Sequence, residues 1–365
     1  MKNRTSTSAR LGSLASIALV ASVGLAACSS GSSSGTSDSG SAGDVGVSLI
    51  VKTTTNPFFV AMEDGAKAAA DKAGVSLTLA AGKEDGDEDT QIQAIENAIS
   101  KGDKGILITP NGPSVVDAIQ KARDAGLFVI ALDTAPDPAD AVDITFATDN
   151  FTAGESIGKW TAAQLDGKKA TIAMLDLFDD KVVSVDYNRD QGFLTGMGID
   201  TADAEKNGDE AASGSYSGGD YEIVGNEATN GAEDGGRTAM ETLLSKNSDI
   251  NVVYTINEPA AYGAYQALQA AGKEKDVLLV SIDGGCAGVK NVSEDVIGAT
   301  AQQYPVKMAE LGVEAIAKLA TDGTKPETSD GLDFFDTGSQ LVTDTPVDGL
   351  DSITSEAATD LCWGE

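Results

Sequence analysis

No histidine occurs among the 365 residues. That single absence removes Ser-His-Asp and Cys-His nucleophilic catalysis and every His-ligated zinc site. Cysteine is scarce, with three in the chain, and aromatic residues make up only 5%. Proline is sparse too, nine residues against 41 glycines, a balance that suits many short turns between regular elements. Basic residues are few: 25 Lys and Arg face 57 Asp and Glu. A chain so acidic repels polyanions, which argues against nucleic acid as a partner. No Gly-rich phosphate cradle follows the first apolar run, so a nucleotide-handling enzyme would lack its anion site.

The N-terminal apolar run is short. Lys2, Arg4 and Arg10 precede Leu11 to Val23, which is too brief for a stable membrane span and reads as the apolar part of an export signal. Leu25-Ala26-Ala27-Cys28 then resembles a bacterial lipobox, which implies cleavage after residue 27 and a lipid on Cys28. The alternative is an ordinary secretory signal with an incidental cysteine. Residues 28–44, nearly all Ser, Gly, Thr and Asp after Cys28, read as a flexible tether. Together these features place the chain at the outer face of the cytoplasmic membrane. Removing residues 1–27 leaves 22 basic and 57 acidic residues, a net charge of −35. Cys286 and Cys362 remain. In an exported chain two cysteines pair more often than they stay free, with two buried thiols as the alternative.

Beyond the tether, 41% hydrophobic content is distributed in a repeating pattern of short apolar run, turn and amphipathic stretch. Strands are expected at 45–52, 75–80, 104–109, 127–132 and 144–147, with helices starting at Pro57, Asp89, Pro113 and Ala153. Glycines 74, 102 and 126 stand where helices should stop. The rhythm restarts with strands near 170–177, 221–225, 251–255, 277–282 and 296–301. Thr201 to Asp220 reads as a surface loop, and Gly235-Gly236 and Gly284-Gly285 as turn glycines. Strands alternating with helices predict an α/β protein with doubly wound parallel sheets in two units.

Ligands of open parallel sheets bind beyond the carboxyl ends of the strands. There the first unit offers Lys52, then Asn56, Phe58 and Phe59, then Asp133. The second offers Asn257, Asp283 and Gln303, with Arg189 in "DYNRDQGF" expected at the start of a helix. A single carboxylate after a strand could be a helix cap and nothing more. Carboxylates, amides and a guanidinium together can satisfy hydroxyl groups that both donate and accept, and aromatic rings cover the apolar face of a sugar.

In order, the lipobox, "TTTNPFFVAMEDGAKAAADKAG", "ALDTAPD", "NRDQGF", "INEPAAYGAYQAL", "SIDGG" and "GATAQQYP" resemble the ribose/fructose-type solute-binding proteins of ABC sugar importers. The resemblance runs from about residue 45 to 341. It implies the type I periplasmic-binding-protein fold, two doubly wound parallel-sheet domains joined by a three-segment hinge, and no enzymatic activity. One lobe would comprise 45–148 plus 304–337 and the other 149–303 plus 338–365, with crossovers near 148–151, 302–304 and 336–339. It implies a monomer that captures a monosaccharide without cofactor or metal and delivers it to a permease and its ATPase. Asn56 would bond sugar hydroxyls, Phe58 and Phe59 would flank the ring, and Asp133, Asn257 and Asp283 would bridge hydroxyls. Arg189 would make a forked donation, and Gln303 would lie at a crossover. Two positions depart from the family's ribose binders: Thr134 replaces an Arg after the fourth-strand Asp, and Lys52 replaces a Ser. The moved cation and the "DGGC…CWG" ending point to fructose ahead of ribose, mannose or xylose. A sugar- or autoinducer-sensing partner of a membrane kinase is the alternative on the same fold.

Two features read as structural. "DGDEDTQIQAIE" from Asp85 to Glu96 has calcium-loop carboxylates at several positions, but Thr90 stands where that loop needs glycine. It reads as the acidic start of a helix. Trp160 and Trp363 read as packing residues, the latter holding the C-terminal tail.

Overall fold

The computed structural model describes residues 45–364. The export signal, the tether and Cys28 lie outside the described residues. Among these residues no helix is long and apolar enough to cross a membrane.

The first half alternates β1 (Gly46–Val51), α1 (Pro57–Ala73), β2 (Ser76–Ala81), α2 (Glu88–Lys101), β3 (Gly105–Ile108), α3 (Val116–Asp124), β4 (Phe128–Leu132) and β5 (Ile144–Ala147). Its logic is local. Asn56 caps α1 by accepting from the Phe58 amide, Pro57 occupies the first turn, and Gly74 ends the helix at φ 66°. Gly102 ends α2 in the same way at φ 72°. Pro113 opens a 3-10 turn (Pro113–Val115), and the α-helix begins only at Val116.

The second half carries α4 (Asn150–Gln164), β6 (Ala170–Asp176), α5 (Ser184–Met197), β7 (Ser213–Tyr216), β8 (Gly219–Ala228), α6 (Glu233–Lys246) and β9 (Val252–Thr255). It continues through α7 (Glu258–Ala271), β10 (Leu278–Asp283), α8 (Cys286–Ser293) and β11 (Ala299–Gln302). Then follow α9 (Pro305–Asp322), β12 (Phe335–Asp336), β13 (Gln340–Val342) and α10 (Ser355–Ala358). Helix α4 starts three residues before the expected Ala153 because Asp149 caps it, accepting from the Thr152 amide.

Two sheets result. One has the order β12-β5-β4-β3-β1-β2 and is parallel throughout. The other runs β13-β11-β10-β9-β6-β8-β7, parallel except at its edges, where β13 and β7 pair antiparallel. Each sheet is covered on both faces. Helices α1 and α9 pack on one side of the first sheet, and α2 and α3 on the other. The second sheet lies between α4 with α5 and α6 with α7 and α8. The chain passes between sheets three times: from β5 into α4, from β11 into α9, and from β12 into β13.

Two expectations need correction. The stretch 201–220 is not all loop, because it contains β7 and the start of β8, a hairpin that closes the sheet edge. Gly235 and Gly236 are not turn glycines. They lie inside α6, where a Cβ would stand 1.8 Å from the Thr229 carbonyl and 2.2 Å from that of Ala260. Gly284 does occupy a turn, at φ 67°.

Candidate functional site

The carboxyl ends of both sheets face a common pocket. The first sheet supplies Lys52, Asn56, Phe58, Phe59 and Asp133; the second half supplies Arg189, Asn257 and Asp283. Eight of the nine binding residues read from sequence thus converge. Gln303, the ninth, is fully buried and lines no part of the pocket; its amide donates to Asp283 Oδ1 at 3.0 Å. Leu177, Val185 and Ile256 add an apolar wall, and Asp85 a further carboxylate. The space between these side chains is about 350 Å3, counting the part that opens to solvent.

Arg189 organises the centre. It sits on α5, 4% exposed, and its Nε donates to Asn150 Oδ1 at 2.8 Å while Nη1 donates to the Ile256 carbonyl at 2.9 Å. Its remaining reach joins the two sheets: Nη2 lies 3.7 Å from Asp133 Oδ1 and Nη1 3.9 Å from Asp283 Oδ1. These separations are ion-pair contacts too long for full hydrogen bonds, so the three groups keep capacity for an incoming polar ligand. Asp133 also accepts from Thr134 Oγ1 at 2.8 Å. Burial raises the Asp283 carboxyl to about 7, against the pull of the Arg189 charge.

Both acids end their strands with positive φ, 64° at Asp133 and 144° at Asp283. Asn257 caps α7, accepting from the Ala260 amide at 3.0 Å, and its Nδ2 donates to the Gly231 carbonyl at 3.0 Å. Asn56 similarly spends its oxygen on the α1 cap. Phe58 and Phe59 serve two purposes. They line the pocket, yet they are 3% and 4% exposed and belong to the core beneath α1, in edge-on contact at 5.3 Å.

Several supports were not legible in sequence. Glu258 accepts from the amides of Gly284 and Gly285 and from Thr300 Oγ1, holding the turn that follows Asp283; burial first, and then the Asp283 charge, lifts its carboxyl to about 8. Asp176, Asp186 and Asp190 form a buried acidic group around the base of Arg189. Asn226 Nδ2 donates to Asp176 at 2.8 Å and reaches Asp190 at 3.4 Å. Burial, the largest influence at each, raises Asp176 to about 8, Asp186 to about 6 and Asp190 well above the usual carboxylate range. No group of three or more His, Cys, Asp or Glu able to hold a metal ion is present among the described residues.

The C-terminal tail closes the far side. Cys286 and Cys362 are joined in a disulfide with a Cα–Cα distance of 4.9 Å. Next to it, Trp363 Nε1 donates to the Gln303 carbonyl at 2.8 Å, and the indole meets the Phe58 ring edge-on at 5.2 Å. Trp160, in contrast, is a core residue of the second half, its Nε1 donating to the Thr345 carbonyl.

Comparison with known proteins places these observations. Residues 47–325 match the family described as periplasmic binding protein domain. The ribose import binding protein of Salmonella typhimurium is 28% identical over 274 residues, 75% of this chain and 84% of that protein. The D-ribose/D-allose-binding protein of Pseudomonas aeruginosa is 27% identical over 309 residues, 81% and 88% of the respective chains. Among solved structures, an ABC transporter solute-binding protein from Actinobacillus succinogenes with bound D-allose superposes with a TM-score of 0.69 at 23% identity. That match covers 87% of this chain and 99% of the other.

Proposed function

Because this chain belongs to the periplasmic binding protein domain family, we propose that it is the extracytoplasmic sugar-binding component of an ABC importer. The relatives named above bind ribose or allose by description and are transport proteins rather than enzymes. The observation that carries the reading is Arg189 suspended between Asp133 of the first sheet and Asp283 of the second. A guanidinium and two carboxylates with unfilled hydrogen-bonding capacity suit a molecule dense in hydroxyls.

Residues 45–148 with 304–337 form one lobe in this reading, and 149–303 with 338–365 the other. The ligand enters between them and closure follows, a hinge transition about three crossovers. Polar contacts across the cleft support it: Lys181 reaches the Gly86 carbonyl at 3.1 Å and Glu88 at 3.5 Å, and Ser184 donates to the Ala135 carbonyl at 2.8 Å. The closed lobes, tethered by lipid at Cys28, present the loaded form to the permease. Fructose is the sugar we favour, ahead of ribose, mannose or xylose.

Titration calorimetry of the purified chain against a panel of pentoses and hexoses tests this. Heat of binding is expected with at least one, and none with any would overturn the reading. Asp283→Ala should remove that heat while the circular dichroism spectrum stays that of the parent. Near-unchanged affinity would show that the site lies elsewhere.

A further inference from the structure

Two pocket side chains differ from the rest in having no partner. Asn56, Asp133, Arg189, Asn257 and Asp283 are each engaged by protein groups. No hydrogen bond or ion pair engages the Lys52 ammonium or the Asp85 carboxylate among the described residues, although both line the pocket. Lys52 is only 4% exposed. Asp85 is raised to about 6, first by burial, with the Lys52 charge opposing and the Asp133 charge adding.

Their placement is built into the fold. Asn111 ties the two segments together: its Nδ2 donates to the Lys52 carbonyl at 3.2 Å, and its Oδ1 accepts from the Gly86 amide at 3.0 Å. Gln91 braces the same corner, donating to the Val51 and Thr109 carbonyls at 3.1 and 2.8 Å and accepting from the Asn111 amide at 2.9 Å. From the opposite half, Gly231 approaches at φ 63°, and a Cβ there would stand 3.0 Å from Asp85 Oδ2. A glycine at that point keeps the space over Asp85 open. β1 and β4 are separated by one strand in the sheet, roughly 10 Å from axis to axis. Lys52 and Asp85 therefore line the pocket from the β1–β2 side of the sheet, and Asp133 lines it from the end of β4.

We infer that Lys52 and Asp85 form a donor–acceptor clamp for a hydroxyl on an arm outside the sugar ring. The pocket then selects sugars carrying an exocyclic hydroxymethyl group over the pentoses that lack it. An ammonium only donates and a carboxylate only accepts, whereas one hydroxyl does both and satisfies the pair. A ligand without that arm leaves the Lys52 ammonium and the half-buried Asp85 carboxylate unanswered at the pocket wall, and sites built to bond a hydroxyl reject analogues lacking it far more strongly than apolar pockets sort by size. This assignment rests on the sugar-binding reading and specifies its ligand class.

The test is titration calorimetry with pairs that differ by the hydroxymethyl group alone: D-allose with D-ribose, D-galactose with L-arabinose, D-glucose with D-xylose, and D-fructose with D-arabinose. For whichever pair binds, the parent chain should favour the hydroxymethyl-bearing member by about tenfold or more. In Asp85→Asn and Lys52→Met, each checked for a parental thermal melt, that ratio should fall to about threefold or less, through weaker binding of the hydroxymethyl member. A parent without the preference, or a ratio that both folded variants retain, overturns the clamp. So does an equal loss of both members, which would make the pair a general contact. Absence of binding to every sugar overturns the sugar reading itself, and the clamp with it.

Discussion

Asp133 and Asp283 are held in backbone conformations that glycine would adopt more easily, at roughly 1–3 kcal/mol each. Such a cost is tolerated where the side chain is needed, and both carboxylates face the pocket. These two, with Asn257, were legible because ligands gather at strand ends, whereas Arg189, inside α5, was expected near a helix start and from the family motif. Asp85 was not: it lies beyond β2 in a turn whose acids resemble an ordinary helix start, and Asp87 two residues later is indeed the α2 cap. Glu258 was passed over because its side chain turns inward to a neighbouring loop rather than to the pocket. The acids beneath Arg189 carry a measurable consequence. A carboxyl raised to about 8 in the fold keeps its proton where the unfolded chain has lost it. Folded protein therefore binds more protons between about pH 4 and 8, and stability falls as pH rises through that window. Thermal melts should show the midpoint dropping from pH 5 to pH 8. Asp176→Asn, which stays neutral throughout, should flatten that slope and raise the midpoint at pH 8. An unchanged slope would mean that Asp176 is ionised across the range.

Between elements, α4 and α5 approach closely enough for their backbones to touch. Gly154 and Gly158 on one helix face Gly192 and Gly196 on the other. Cβ atoms added there would meet the carbonyls of Arg189, Phe193, Phe151 and Glu155 at 2.3, 2.1, 2.2 and 2.2 Å. Four glycines spaced by one turn let two backbones touch, and that contact sets the height of α5 over the sheet and so the position of Arg189. Gly158→Ala is expected to destabilise the protein by about 1–3 kcal/mol through overpacking. Gly154→Ala, which presses on the Arg189 carbonyl itself, should weaken ligand binding as well. Urea denaturation and calorimetry on the two variants separate these effects, and parental stability in both would remove the contact from the account. The alternation of strands and helices was plain from apolar runs and turn glycines. This seam was not, because a glycine inside a helix reads as a weakness until its neighbour is known, and the same ambiguity disguised Gly235 and Gly236.

At the scale of the molecule, the two sheets and their order follow from a rhythm that repeats twice in the chain. The three passages between sheets do not follow from periodicity alone. They depend on α9 returning to pack beside α1, which the buried faces of both helices settle only once they are brought together. The tail was legible in part: the pairing of Cys286 with Cys362 and the packing role of Trp363 were expected, but the contact of Trp363 with the first half was not. Its disulfide fastens it to α8 in the second half, while its last aromatic residue rests on Phe58 in the first. The chain has two tryptophans. One, Trp160, is sealed in a core at 1% exposure, and the other lies across the seam where the halves meet, behind a ring that lines the pocket. The protein thus carries its own optical gauge. Trp160→Phe should leave a single emitter at position 363 whose fluorescence shifts on addition of ligand and on reduction of the disulfide. In Trp363→Phe the remaining emission should stay constant through both.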